Sequence, residues 1–277
     1  MSFDLLNRAL TELETALTEC DIKLIVGGGF GLFLLQTDLT IKEDIRTLIA
    51  RKAWCIPRST ADIDVIIETC IVASLDHIKS LRESLDHLGY TVIAGVEYMH
   101  FEKLFSEKDR VEINFLTGPI ENVSLVEKIK VNRPRVRPKG DVKLHAYLTD
   151  EAIALSDSLH TVAGYHNVFL PSPTTFLTMK LHAFRDRFQQ DEQEKAGHHA
   201  MDVYRVISMM TEERYSETKA YLLSNRERSA VKSAAEIVHT YFHASDLPGI
   251  TKIREHPLYR PELELDVMRA SLDELFA

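Results

Sequence analysis

Hydrophobic positions follow a helical spacing at the start of the chain and again through its second half, with strand-like alternation between them. Residues 3–17 place their leucines on one stripe, which predicts an amphipathic helix. Apolar and polar residues alternate over 100–106 and 110–116, which predicts two strands joined by the turn 107–109. Further elements are predicted as a strand at 168–170 and helices at 173–188, 198–210, 216–224 and 229–243.

The order of these elements predicts an α+β chain with two domains. Residues 1–136 are expected to form a mixed β-sheet flanked by helices, and residues 137–277 a mainly helical domain. The segment 128–139 near this boundary holds six basic residues and no acidic one. Two interpretations stay open: a proline-stiffened linker between the domains, or a surface that binds the phosphates of an RNA.

Two segments in the first domain carry candidate chemistry. An apolar run ends in three glycines, a turn that would let backbone N–H groups approach a phosphate. Asp62 and Asp64 lie two positions apart in a β-branched strand pattern, so both point to one face. Because adjacent carboxylates repel, such a pair favours a divalent cation such as Mg²⁺ or Mn²⁺. The candidate residues are Gly27, Gly28, Gly29, Asp62 and Asp64.

A third carboxylate is available in the predicted hairpin. In the strand 110–116, Glu112 and Asn114 alternate with apolar residues and therefore share the polar face. We expect Glu112 to lie opposite the aspartate pair. Each short motif alone has an ordinary alternative: a solvated strand face for the aspartates and an edge-strand surface for Glu112. The order of turn, helix, aspartate strand and hairpin favours the functional interpretation.

A second block of candidates lies in the helical domain. Ser172 and Pro173 are typical of a helix start, and the helix that follows places Lys180 and Arg187 on one face. Asp202 lies in the next predicted helix, behind His198 and His199, which are expected near its start. The alternatives are an ion pair between the two helices for Lys180 and Asp202, and a solvated Arg187.

These motifs together resemble the AbiEii toxin family within the polymerase-β-like nucleotidyltransferase superfamily. The matching segments read Gly28-Gly29-Phe30-Gly31-Leu32, Arg58-Ser59-Thr60-Ala61-Asp62-Ile63-Asp64 and Lys180-x-x-Ala183-x-x-x-Arg187, followed by Asp202. The chain departs from the family pattern at Gly31 (alanine), Glu112 (aspartate) and His198-His199 (Lys-Asp). The long gap between the first two segments predicts an inserted helix around residues 41–50.

The resemblance implies transfer of a nucleoside monophosphate from a nucleoside triphosphate (NTP) to an acceptor hydroxyl. Asp62, Asp64 and Glu112 would hold magnesium, and the glycine turn would bind the β- and γ-phosphates. Lys180 would neutralise the triphosphate, and Asp202 would orient Lys180 or the acceptor. The remaining nucleotide-binding candidates are Arg58, Thr60 and Arg187.

The acceptor is left open by these motifs. In the toxin branch it is the 3′ end of tRNA, and a cognate antitoxin is then expected as a partner. Other branches modify a small antibiotic alcohol. A third interpretation is a nucleotide-binding regulatory or interaction protein that has lost catalysis, which the departures at Glu112 and His198-His199 would allow.

Composition adds context to the motifs. The 277 residues are 45% hydrophobic with a net charge of -9, which argues against indiscriminate nucleic-acid binding. Three widely spaced cysteines, Cys20, Cys55 and Cys70, show no metal-ligand spacing. No apolar run reaches the length of a membrane span, and no signal segment is evident. We therefore expect a cytoplasmic protein.

Overall fold

The computed structural model describes residues 3–18, 20–42, 44–58, 60–96, 98–155 and 158–277. These residues form a mixed β-sheet and eleven α-helices, which confirms the α+β fold class. The chain divides into two compact units. The sheet unit comprises Met1–Leu34 and Ser59–Pro171, and the helical unit comprises Leu35–Arg58 and Ser172–Ala277. The boundary expected between residues 136 and 137 thus falls inside the sheet unit.

Ten strands of the described residues form one sheet in the sheet unit. They are β1 Leu24–Val26, β2 Asp62–Ile66, β3 Thr91–Val92, β4 His100–Leu104, β5 Arg110–Thr117, β6 Ile129–Asn132, β7 Arg135–Pro138, β8 Ala146–Leu148, β9 His160–Thr161 and β10 Val168–Leu170. Their spatial order is β6-β7-β8-β5-β2-β1-β10-β9, with β4 pairing the first half of β5 and β3 pairing β4. The parallel pairing of β10 with β1 confirms the strand predicted at 168–170.

The helices are divided between the two units. The sheet unit holds α1 Phe3–Leu17, α3 Thr69–Val72, α4 Leu75–His87 and α5 Val123–Val126, and α2 Gly28–Ile41 begins there and ends in the helical unit. The helical unit also holds α6 Pro173–Gln189, α7 Gln193–Met209, α8 Glu212–Ser224, α9 Ser229–Tyr241, α10 Pro248–Glu255 and α11 Leu265–Leu275. Within the described part of the chain, no helix has the length and apolar character to cross a membrane.

Strand alternation separates an apolar from a polar face of the sheet. Ile63, Ile113 and Phe101 are neighbours on β2, β5 and β4, and all three are fully buried. The buried leucine stripe of α1 contacts β2 and β5. The predicted amphipathic helix and the predicted hairpin of β4 and β5 are both confirmed. The polar side chains of β2 and β5 therefore lie on the opposite face of the sheet from this apolar core.

The prediction of a helix around residues 41–50 is wrong. Helix α2 itself continues from the glycine turn to Ile41, and the described residues after it adopt turns and bends before a short 3₁₀ helix at Arg51–Ala53. The apolar sequence after the glycines contains no proline or glycine that would end the helix near its middle. The long gap between the two motifs is thus filled by an extended α2 rather than an added helix.

The basic segment 128–139 forms structure rather than a linker. Its residues build the antiparallel hairpin of β6 and β7, with Ile129 and Val136 buried. The linker interpretation is therefore wrong. The hairpin extends the sheet at its β6 edge, and Lys130, Arg135 and Arg137 lie on its strands.

The first two helices of the helical unit begin differently. The Ser172 side chain accepts a hydrogen bond from the Thr175 N–H, which confirms the predicted N-cap of α6. Helix α7 begins at Gln193, five residues before the predicted start. Glutamine, glutamate, lysine and alanine at 193–196 all favour helix. His198 and His199 consequently lie in the second turn of α7 rather than at its start.

Candidate active-site residues

Asp62 and Asp64 lie side by side on the polar face of β2, next to β5. The two strands run parallel, with Asp62 beside Glu112 and Asp64 beside Asn114. The Asn114 side-chain amide bridges the pair: its Nδ2 donates to Asp64 Oδ1 at 2.9 Å and to Asp62 Oδ2 at 3.4 Å. Asp62 also accepts a hydrogen bond from the Thr60 hydroxyl. Uncharged donors thus hold the two carboxylates together.

The glycine turn meets Asp64 across strands β1 and β2. These strands are antiparallel, and the Gly27 N–H donates to the Asp64 carbonyl oxygen at 2.8 Å. Gly28 has φ of +63°, and a Cβ built on it would lie 2.0 Å from Asp64 Oδ2. A side chain at Gly28 would therefore both strain the backbone and collide with the carboxylate. The turn approaches Asp64 this closely only because residue 28 is glycine.

Helix α2 starts in this turn. The Gly31 N–H donates to the Gly27 carbonyl oxygen at 2.8 Å, so Gly29 lies in the first helical turn. The first N–H groups of an α-helix have no partner within the helix and attract anions. The sequence motifs at 27–29 and 62–64 thus meet in one place in the sheet unit. Ser59, which belongs to the second motif, lies outside the described residues.

Glu112 is on the same face but is bound elsewhere. Its neighbours across the sheet are Asp62 on one side and Glu102 on the other. Arg110 lies between the two glutamates, with Nη2 3.1 Å from Glu112 Oε1 and Nη1 3.5 Å from Glu102 Oε2. Within the described part of the chain, no three His, Cys, Asp or Glu side chains are grouped to hold a metal ion. The structure therefore places Glu112 beside Asp62 on the shared face and pairs its carboxylate with Arg110.

A second cluster lies inside the helical unit around Asp202. Lys180 Nζ on α6 is 2.7 Å from Asp202 Oδ2 on α7, and both side chains are buried. Arg58 Nη2 is 3.4 Å from the same oxygen, and Arg205 Nη1 is 3.2 Å from Oδ1. The two helices place Lys180 and Asp202 as the sequence predicted for an ion pair, but in a buried setting. Among the described residues of this cluster, three cations surround one carboxylate.

The cations control the ionisation of Asp202. Burial alone would raise the pKa of its carboxyl, but attraction to Lys180, Arg58 and Arg205 outweighs burial and lowers the pKa well below its ordinary value. Asp202 is therefore charged at neutral pH, and the cluster keeps an excess of positive charge. Arg58 Nε and Arg205 Nε are buried and, among the described residues, have no hydrogen-bond partner. This arrangement has the capacity to bind an anion.

Arg187 and His199 border this cluster. Arg187 is partly exposed and bonds Glu192 at 2.7 Å. Burial, followed by repulsion from Lys180, lowers the pKa of His199 to about 3, so its imidazole is neutral at physiological pH. Its Nδ1 is buried and has no partner among the described residues. A neutral ring next to Lys180 leaves the excess of cations in place.

His198 pairs with a histidine that the sequence did not connect to it. The Leu258 N–H donates to His256 Nδ1, so the proton of neutral His256 is on Nε2, which lies 2.8 Å from His198 Nδ1. Burial lowers the pKa of both rings. The facing nitrogens of the two rings bond each other, which supports a structural role for His198.

Two residues of these sites were not singled out from the sequence. Asn114 was noted as part of a polar strand face, but its contact with both aspartates depends on strand pairing over about fifty positions. Arg205 lies three residues after Asp202, a spacing that faces it on a helix, and this signal was available. Its burial depends on the tertiary packing of α7.

One comparison with known proteins identifies a family. The family model described as "Nucleotidyl transferase AbiEii toxin, Type IV TA system" matches residues 47–274. The match includes both aspartates, Lys180 and Asp202, whereas the glycine turn precedes it. No curated protein and no solved structure matches the chain. The chain belongs to the AbiEii family and is a nucleotidyltransferase.

Proposed function

We propose that the chain transfers a nucleoside monophosphate from an NTP to an acceptor hydroxyl with the help of a divalent cation. The observation that carries this proposal is the close approach of Gly28 to Asp64, where an added Cβ would lie 2.0 Å from the carboxylate. A helix start that favours phosphate thus lies against a carboxylate pair that favours a cation. An NTP bound with its metal requires both kinds of site.

The side chains around Asp62 and Asp64 suit Mg²⁺ or Mn²⁺. They offer hard oxygen donors, and the carbonyl oxygen of Asn114 is buried without a hydrogen-bond partner among the described residues. When bound, such a cation would stabilise negative charge on the reacting phosphate oxygens. Among the protein's own groups, Thr60 would fix Asp62. The Gly27 N–H holds the turn against the Asp64 carbonyl oxygen, and Gly28 and Gly29 would present backbone N–H groups to the phosphates.

We assign the Asp202 cluster to the same reaction on the basis of the family motif. Lys180 would neutralise triphosphate charge, with Arg58 and Arg187 as further nucleotide-binding cations. Asp202 would hold Lys180 in one orientation, since the two groups are 2.7 Å apart and buried. The Arg58 Nε is buried and has no hydrogen-bond partner among the described residues, which supports this role, because a phosphate oxygen would satisfy it.

The acceptor we propose is the 3′ end of tRNA. The hairpin of β6 and β7 supports an RNA acceptor, because Lys128, Lys130 and Lys139 are exposed on it in a chain whose net charge is -9. Since the matched family is described as the toxin of a type IV system, we also propose a cognate antitoxin as partner.

The direct test incubates the purified chain with each of the four α-³²P-labelled NTPs, Mg²⁺ or Mn²⁺, and either total tRNA or hydroxyl-bearing antibiotics. We expect label on tRNA and its loss in Asp62→Asn by more than about 10³-fold, since a metal ligand supplies several kcal/mol. Asp141→Asn, at an exposed aspartate of the same unit, is the matched control and keeps activity.

Three outcomes would contradict parts of this proposal. Label on antibiotics alone would replace tRNA with a small-molecule acceptor. Binding of NTP without transfer to either acceptor would favour a regulatory protein that has lost catalysis. Full activity of Asp62→Asn would remove the aspartate pair from the mechanism.

A further inference from the structure

We infer that the third oxygen ligand of the cation site is the side-chain carbonyl of Asn114 rather than the Glu112 carboxylate. This inference rests on the proposed function of the Asp62–Asp64 pair. By strand register, Asn114 is the β5 neighbour of Asp64 and lies on the same face as both aspartates. Its amide contacts both carboxylates, whereas the structure records no such contact for Glu112.

The orientation of the Asn114 amide follows from hydrogen-bond chemistry. Ionised carboxylates only accept hydrogen bonds, so the NH₂ side of the amide must face Asp62 and Asp64. The carbonyl oxygen is then turned away. It is buried and has no hydrogen-bond partner among the described residues. Buried carbonyl groups without partners are rare in folded proteins, so this oxygen needs an explanation.

A bound divalent cation would give this oxygen a partner once the amide rotates, with the NH₂ group then taking the position that Oδ1 leaves. In its absence, the two N–H groups of Asn114 offset the repulsion between the aspartates. With the cation present, the carboxylates no longer need these donors. Rotation about the Cβ–Cγ bond by half a turn exchanges the two ends of the amide and directs Oδ1 to the cation, as amide oxygens do in hard-cation sites. One side chain thus serves both states of the site.

Glu112 is the alternative third ligand, but its carboxylate already pairs with Arg110. Arg110 lies within 3.1 Å of Glu112 and within 3.5 Å of Glu102, which faces Glu112 across the strands. If Glu112 moved to the aspartates, Arg110 would keep only Glu102, and a third carboxylate would join two that already repel. Asn114 reaches the same site without adding charge.

The test measures binding of Mn²⁺ alone, by electron paramagnetic resonance titration, together with melting temperatures in EDTA and in Mn²⁺. We expect Asn114→Ala to weaken Mn²⁺ binding by at least about tenfold. Asn114→Asp keeps an oxygen ligand and adds charge. Its melting temperature in EDTA should be lower than that of wild type, because three carboxylates then lie side by side. Mn²⁺ should raise its melting temperature by more than that of wild type. Glu112→Gln should bind Mn²⁺ as wild type does, with Asp141→Asn as the surface control.

Several results would overturn the inference. Asn114 would not be a ligand of the cation if Asn114→Ala bound Mn²⁺ with wild-type affinity. The same conclusion would follow if Mn²⁺ raised the melting temperature of Asn114→Asp by less than that of wild type. Loss of Mn²⁺ binding in Glu112→Gln would assign the third ligand to Glu112, and absence of Mn²⁺ binding by the wild type would exclude the site. Failure of the proposed function has a different signature, since Mn²⁺ would bind as described while no labelled nucleotide reached an acceptor.

Discussion

The two candidate clusters of this chain balance charge in opposite ways. In the sheet unit, Asp62 and Asp64 lie together, and the donors recorded around them are the uncharged Thr60 and Asn114. In the helical unit, Asp202 is surrounded by three cations among the described residues: Lys180, Arg58 and Arg205. Among the described contacts, two carboxylates thus meet neutral donors in the first cluster, whereas one carboxylate meets three cations in the second.

The contrast indicates what each cluster lacks. A carboxylate pair bridged by an amide is stabilised most by a cation. One carboxylate does not neutralise three cations, so positive charge is available to bind an anion. A metal-bound triphosphate carries both complementary charges.

The largest effect expected from this contrast is on stability. Replacing Asp202 with Ala should lower the free energy of unfolding by about 3–5 kcal/mol, because it leaves buried cations without their partner. Removing a carboxylate from the other cluster should do the opposite. Asp62→Asn relieves repulsion, so its melting temperature should stay level or rise. Chemical and thermal denaturation of Asp202→Ala and Asp62→Asn, each compared with wild type, tests both predictions.

Two results would break this comparison. Destabilisation of Asp62→Asn as large as that of Asp202→Ala would mean that Asp62 is a structural anchor like Asp202. An unchanged stability of Asp202→Ala would mean that the cations around it are already neutralised by solvent or ions. Asp246→Asn, at an exposed aspartate of the helical unit, controls for loss of one negative charge.

The next effect concerns turnover. Lys180→Ala should lower the rate of nucleotide transfer by about 10²–10³, the cost of losing one electrostatic contact to charge that grows in the transition state. Lys195→Ala removes a lysine that is 58% exposed in the same unit and should leave the rate unchanged. An unchanged rate in Lys180→Ala, with the fold intact by circular dichroism, would reduce the pair with Asp202 to a structural ion pair.

The sequence predicted the parts of these sites that depend on local pattern. Alternation around Asp62, Asp64 and Glu112 is enough to assign their common face, and the ion pair given as the alternative for Lys180 and Asp202 is present. The contact between Glu112 and Arg110 could not be predicted from the sequence, since an arginine at that position can equally well point into solvent. Local pattern assigns a side chain to a face, but competition among neighbours decides its partner.

The helical unit shows the same limit in its element boundaries. The sequence predicts a start of α7 at His198, yet the good helix formers before it extend the helix to Gln193. The end of α2 was missed because no glycine or proline marks it. His256 lies 58 positions from His198, and no spacing rule links the two rings.

The smallest effect expected from the contrast is a pH dependence of stability that belongs to the positive cluster. The pKa of His199 is lowered from 6.5 to about 3 by burial and by Lys180, Arg58 and Arg187, with Asp202 acting in the other direction. Below about pH 6.5 the unfolded chain binds a proton at this ring and the folded chain does not. The free energy of unfolding should therefore fall as pH falls, by up to about 1.4 kcal/mol per pH unit for this one group.

His199→Gln removes this titration while keeping a polar side chain, so its stability should fall less steeply than that of wild type between pH 6.5 and pH 5. The lowered pKa values of His198 and His256 leave a residual slope of the same sign in both proteins. His239→Gln, at an exposed histidine of the same unit, should retain the wild-type slope. Urea denaturation at half-unit pH steps measures the difference. An identical slope in His199→Gln would mean that His199 titrates as an ordinary histidine and that neither burial nor the neighbouring cations lower its pKa in the folded chain.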